Sequence, residues 1–134
     1  VVAAIRGVSS GTLQQYVEES FESKKYDDPL LESLKQELIA GKQTILDAVQ
    51  FVKTQGSTYL DFSGRRLVDG AIAVICGHLL LGQAAVNDRK KMVAKRWIQS
   101  QMPVLRTNCE IVCSGDTTAM DQYELLAGPV PAAN

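Results

Sequence analysis

The side chains with reactive chemistry are few: one histidine, His78, and three cysteines, Cys76, Cys109 and Cys113. A serine triad would need His78 beside a nucleophile and an acid in a polar cleft. Its neighbours Gly77 and Leu79 belong to an apolar run, so we expect a buried histidine held by one or two hydrogen bonds. Three cysteines and a histidine match the ligand count of a structural zinc site, and Cys109 and Cys113 are spaced i,i+4. On a helix, however, Cys76 and His78 point about 200° apart and diverge from any common ion. No paired Cys-x-x-Cys knuckle accompanies them. The expectation is therefore no metal site, with cysteines acting as small buried hydrophobes. A small-ligand bundle built on His78 and the cysteines is a third-ranked alternative.

A second concentration of chemistry is cationic. Arg89, Lys90, Lys91, Lys95 and Arg96 fall within one short segment, with Lys91 and Lys95 on one helical face and Arg89 and Arg96 on another. Arg89, Lys91, Lys95 and Arg96 are the candidate contacts for an anionic partner or a phosphate-bearing cofactor, against the plainer reading of a solvated helix face. There is no glycine-rich phosphate loop, and no glutamate stands in a recognisable acid/base pair. No catalytic residue is assigned.

The elements that must carry these groups read as helices throughout, because no stretch shows strand-type alternation between hairpin turns. Ser9, Ser10 and Thr12 can cap a short amphipathic helix over 9–25, with Leu13, Tyr16, Val17 and Phe21 on one face. Asp28-Pro29 starts the next helix, and Leu31, Leu34, Leu38, Gly41, Ile45, Ala48 and Val52 form its seam. Gly41 costs about 1 kcal/mol of helix propensity, which predicts close approach of a neighbouring helix there. Gln55-Gly56 ends it.

Ser57 or Thr58 can cap a central helix over 58–86, loosened near Gly64 and Gly82, with an Asp61–Arg65–Asp69 ladder. Asn87-Asp88 opens a further helix, and the pattern Ala94, Ile98, Met102, Leu105, Cys109, Val112 runs straight through Pro103. Either that helix is kinked at Pro103 or a new one begins there. Trp97 reads as a core anchor, and Ser114-Gly115 as a stop. Asp116 can cap a last short helix through Tyr123 and Leu125, and AGPVPAAN reads as a tail. The expected fold is an all-α, up-and-down bundle of four or five helices. Residues 1–28 would be a connector and short helix, 29–126 the bundle, and 127–134 a tail.

Composition agrees with this outline. A chain of 134 residues suits one domain, which at this size buries roughly two-thirds of its unfolded surface. With 14 Lys+Arg against 15 Asp+Glu, and a pI near 5.8, it lacks the basic footprint of a nucleic-acid binder. The 17 uncharged residues from Gly70 to Val86 include His78 and Gln83 and are flanked by charges. They read as a buried central helix rather than a membrane span. An unpairable number of cysteines fits a reducing, cytoplasmic setting. The opening VVAAIRGVSS does not read as a signal peptide and suggests a piece cut from a longer chain.

From about residue 30 to residue 126 the order of features resembles the C-terminal accessory domain of the larger acyl-CoA dehydrogenases. The residues that carry the likeness are Leu34, Leu38, Ala48 and Val49 on a leading helix, Asp69-Gly70-Ala71, GHLLLGQAA at 77–85, and KKMVAKRWIQSQMP at 90–103. Lys91, Ala94, Lys95 or Arg96, Trp97 and Met102-Pro103 follow the family's order, and the segment closes at Ser114-Gly115-Asp116. The resemblance implies a parent flavoenzyme that forms a 2,3-double bond in an acyl-CoA thioester. There a glutamate takes the α-proton, FAD accepts the hydride, and an electron-transfer flavoprotein receives the electrons. Those motifs belong to preceding domains, so this piece would bind no cofactor alone. It would pack on the parent body or another subunit, with homo-oligomers possible in the fatty-acid-oxidising enzyme. The competing expectation is a stand-alone helical interaction or oligomerisation module whose Leu31–Val52 seam faces a partner chain.

Overall fold

A computed structural model describes residues 1–133. Three long helices form its centre: α3 (Pro29–Gln55), α4 (Ser57–Ala84) and α5 (Asp88–Cys113). Asp28 starts α3 as its sequence predicts, its Oδ1 accepting the Leu30 N–H at 2.9 Å with proline in the first turn. Asn87 starts α5 in the same way, accepting the Arg89 N–H at 3.1 Å. Gly56 alone links α3 to α4, with a φ of +94° that a side chain would strain. Links this short make neighbouring helices antiparallel. Tyr59, at the start of α4, donates to the Val112 carbonyl at 2.5 Å near the end of α5. Lys91, near the start of α5, pairs with Asp28 at 2.8 Å before α3. The order is therefore up, down, up.

The α3 seam lies inside this arrangement. Leu31, Leu34, Leu38, Ile45, Ala48 and Val52 are all buried. They face α4 and α5 of the same chain, which occupies the surface that a seam-to-partner module would have needed. Gly41 plays its expected part: a Cβ there would stand 2.7 Å from Met102 Sδ of α5.

Several expectations need correction. α4 is continuous through Gly64 and Gly82 rather than loosened. Gly64 is instead a seat, with Ile5 3.5 Å from where its Cβ would be. Neither Ser57 nor Thr58 caps α4, because Gly56 occupies the N-cap position. Arg65 pairs with Asp69 at 3.0 Å, and among the described residues no Asp61 rung completes the ladder. Of the two readings open at Pro103, the one with a single helix holds: α5 runs past Pro103, whose ring lies on the exposed face where water can serve the carbonyl it leaves unpaired. α4 is long and apolar enough to cross a membrane, yet more than half of its apolar window is covered by the bundle.

The short helix expected over 9–25 is present as α2 (Thr12–Val17) running on into a wide π turn, Glu18–Glu22, and a further helix not expected there, α1 (Val2–Ser9), precedes it. Gly11, at φ +90°, breaks α1 from α2. Ser9 and Ser10 turn their hydroxyls back to the Arg6 and Gly7 carbonyls and cap nothing. Ile5 and Val8 of α1 are buried, and the helix packs on α4. Leu13, Val17 and Phe21 point inward as expected, whereas Tyr16 is half exposed.

The π turn brings Glu18 and Glu22 together over Lys42 of α3, at 3.0 and 2.6 Å. Burial pulls the Lys42 ammonium down, but the two carboxylates outweigh it and hold it above the usual lysine range. Lys42→Met is expected to cost about 2 kcal/mol, because it leaves the largely buried Glu22 without a cation. Urea unfolding followed by circular dichroism at pH 7 measures this.

At the other end Asp116 Oδ1 accepts the Thr118 N–H at 2.9 Å. Where one short helix is expected, two follow: α6 (Thr118–Asp121) and α7 (Tyr123–Ala127). Neither buries a residue.

Candidate functional site

His78 lies on the inward face of α4 and is 1% exposed. Among the described residues neither Nδ1 nor Nε2 finds the hydrogen-bond partner expected of it. The ring stacks instead on Phe21 of the π turn, centroids 5.1 Å apart and planes within 5°. Burial, then the charges of Lys42 and Lys35, push its pKa down to about 4. The imidazole is therefore neutral at pH 7, with no carboxylate orienting it, and it serves as a packing joint between the N-terminal segment and the bundle.

Lys35 and Lys42 were not singled out by sequence, although both are buried. Lys35 Nζ donates to the Lys24 carbonyl at 2.8 Å and pairs with Glu32 at 2.8 Å. The missed signal was register. The two lysines stand one heptad apart, immediately after the seam residues Leu34 and Gly41.

The cysteines do not converge. Cys76 is half-buried, Cys109 buried and Cys113 exposed. Burial, helped by Cys113 nearby, pushes the Cys109 thiol up to about 11. Burial and the Asp47 charge also raise Cys113, so both are thiols rather than thiolates at pH 7. Among the described residues no three His, Cys, Asp or Glu side chains gather as a metal site.

The basic segment opens α5 and divides in two. Lys91 turns inward to Asp28 at 2.8 Å and Asp88 at 2.9 Å, and hydrogen bonds to both raise its pKa. It thereby ties α5 to the start of α3. Arg89 and Arg96 are exposed and Lys95 half-buried. Among the described residues none of these three makes an ion pair. Trp97 packs partly buried against the core, as an anchor.

Two of the surface concavities flank α4. One of about 430 Å³ lies between the start of α4 and the end of α5. Its guanidinium groups are already engaged: Arg66 Nη1 donates to Asn108 Oδ1 at 2.6 Å, and Arg65 Nε to both Asp69 oxygens at 3.0 Å. Asp69 and Asp116 balance the two arginines there, so the cavity has no net charge for an anion. The other, about 280 Å³, is a groove between α4 and the N-terminal helices with no charged residue in its lining.

No curated protein matches the chain. Among solved structures it is similar to an acyl-CoA dehydrogenase family protein from Porphyromonas gingivalis, with a TM-score of 0.75 and 26% identity. The likeness covers 82% of this chain and 95% of that one. Residues 9–101 match the family model described as acyl-CoA dehydrogenase C terminal. The bundle of α3, α4 and α5, with its N-terminal segment docked across α4, thus belongs to the acyl-CoA dehydrogenase C-terminal family, the helical C-terminal domain of such an enzyme.

Proposed function

We propose that this chain is the packing domain of an FAD-dependent acyl-CoA dehydrogenase of fatty-acid oxidation, inert by itself and cytoplasmic. The observation that carries this reading is the family match across residues 9–101, which takes in α2, the π turn, α3, α4 and the first half of α5. The interior supports it. The one histidine is neutral and stacked, the buried cysteine is an un-ionised thiol, and the buried lysines are used in ion pairs and a carbonyl contact. In this reading the preceding domains hold FAD, the acyl-CoA and the catalytic glutamate, and residues 29–126 form the packing bundle. Arg89, Lys95 and Arg96 are the cations left to meet an acidic surface of the body or of another subunit, while Lys91 positions α5.

The test is direct. The purified 134-residue chain should give a helical circular dichroism spectrum, show no flavin absorbance near 450 nm and turn over no acyl-CoA. Flavin co-purifying with this chain overturns the proposal.

A further inference from the structure

The N-terminal segment is joined to the bundle differently from the way the three long helices join one another. α1 has eight residues and α2 six, and isolated helices shorter than about 12–15 residues are marginal in water. Their order therefore depends on docking. Ile5, Val8, Leu13, Val17 and Phe21 supply the apolar half of it, with Ile5 seated against Gly64. The other half is polar. Lys42 holds Glu18 and Glu22, Lys35 Nζ holds the Lys24 carbonyl, and His78 stacks on Phe21. Residues 24–28 are not helical and connect this segment to α3.

This joint seals polar atoms that water would serve better. Both nitrogens of His78, and the Tyr26 hydroxyl in the connector, are buried without a partner among the described residues. Each regains hydrogen bonds if the segment lifts. A proton on His78 also adds a third cation beside Lys35 and Lys42. The carboxylates around it are already engaged, Glu18 and Glu22 by Lys42 and Glu32 by Lys35. The remaining elements offer no further anion. α4 has no charged residue from Gly70 to Ala84, where Cys76 is the only other ionisable group. α5 turns the uncharged Ala94 and Ile98 inward and ties Lys91 to Asp28. α2 contributes the half-exposed Tyr16, the single charged residue of α1 is the exposed Arg6, and Lys24 lies over the Phe21 ring at 5.8 Å.

We propose that residues 2–23 are a releasable strap, which lifts off α3 and α4 as one unit about the connector 24–28 while the three-helix bundle stays folded, and that protonation of His78 releases it. Lifting bares the imidazole and the Gly64 side of α4 to solvent.

Hydrogen–deuterium exchange of the 134-residue chain at pH 7 and pH 5, corrected for the intrinsic effect of pH, tests it. The hydrogen-bonded amides of α1, α2 and the π turn should exchange together, about tenfold or more faster than the inner amides of α3, α4 and α5 at either pH. Their protection should fall about 30-fold from pH 7 to pH 5, because the docked form refuses a proton that the released form accepts. His78→Phe should keep the step between strap and bundle and remove the dependence on pH. A clamp gives an independent readout. Ile5 Cβ stands 3.5 Å from where a Gly64 Cβ would be, which is disulfide spacing. In Ile5→Cys/Gly64→Cys, oxidation should slow exchange in α2 and the π turn as well as in α1, by about tenfold or more against the reduced form. Strap amides that exchange at the bundle's rate overturn the proposal, because the segment then opens only with the whole fold. A 30-fold fall that persists in His78→Phe overturns it, because another group then holds the switch. A clamp that slows α1 alone overturns it too, because the segment then does not move as one unit.

Discussion

Gly77→Leu is expected to destabilise the bundle by about 3 kcal/mol or more, lowering its melting temperature by roughly 10 °C. Gly77 faces α3 from the middle of α4, and a Cβ there would lie 2.5 Å from Leu38 Cδ2 and 3.0 Å from its Cδ1. Leu38 is fully buried, so making room for a whole leucine displaces its packed neighbours as well as its own methyl groups. Helix propensity alone would favour the substitution by about 1 kcal/mol, so the sign of the result shows packing overriding propensity. The pair can be tested as a pair. Leu38→Ala alone should cost about 2–5 kcal/mol by opening a cavity. In the double variant the new leucine enters the vacated space, and the total should fall well short of the sum of the single costs. Thermal unfolding of the four proteins checks both statements. Additive losses would mean that α3 and α4 are not in contact at this point.

The contrast between Gly77 and Gly41 shows what sequence can and cannot reveal about close approaches. Gly41 interrupts a periodic seam, and a glycine at a seam position announces a neighbour. Gly77 lies in a helix so uniformly apolar that no face stands out, and only the fold tells which glycine touches and which does not. Gly82, in the same helix, meets nothing. The long elements were legible because their ends carry local chemistry that acts alone: Asp28 before Pro29, Gly56, Asn87 and Ser114-Gly115. The N-terminal segment was not. Its form depends on a left-handed Gly11 and on a π turn, and that turn joins Phe21 and two glutamates to α4 and α3, long-range contacts with no local signature.

The same limit applies to the candidate site. Cation density between Arg89 and Arg96 was plain in the sequence, but the commitment of Lys91 to Asp28 was not. It requires the starts of α3 and α5 to lie side by side, which follows only from the antiparallel order of the three helices.

Between pH 6.5 and pH 4.5 the fold is expected to lose stability, and His78 is the reason. Its pKa in the folded chain is about 4, against an ordinary value of 6.5. Across this window the unfolded chain therefore binds the proton and the folded chain resists it. The neutral ring's contribution is present above pH 6.5 and drains away as the pH falls toward 4. The shift corresponds to about 3 kcal/mol in full, of which about 2 kcal/mol is lost by pH 5. Carboxylates held low by their partners, such as Glu18 with Gln14 and Lys42, act in the same direction, but only as the pH falls below their own unfolded values near 4.5. Measurements from pH 6.5 to 5 therefore isolate the histidine. His78→Phe preserves an aromatic face for Phe21 and removes two buried nitrogens that find no partner among the described residues. That variant should show a nearly flat stability profile across pH 6.5–5 and should exceed the wild type by about 2 kcal/mol at pH 5. Chemical denaturation at several pH values gives both profiles. A wild-type profile as flat as the variant's would show that the imidazolium finds a stabilising partner in solution. In that case burial at this joint would not be keeping the ring neutral, and the contact between the N-terminal segment and α4 would have to be polar.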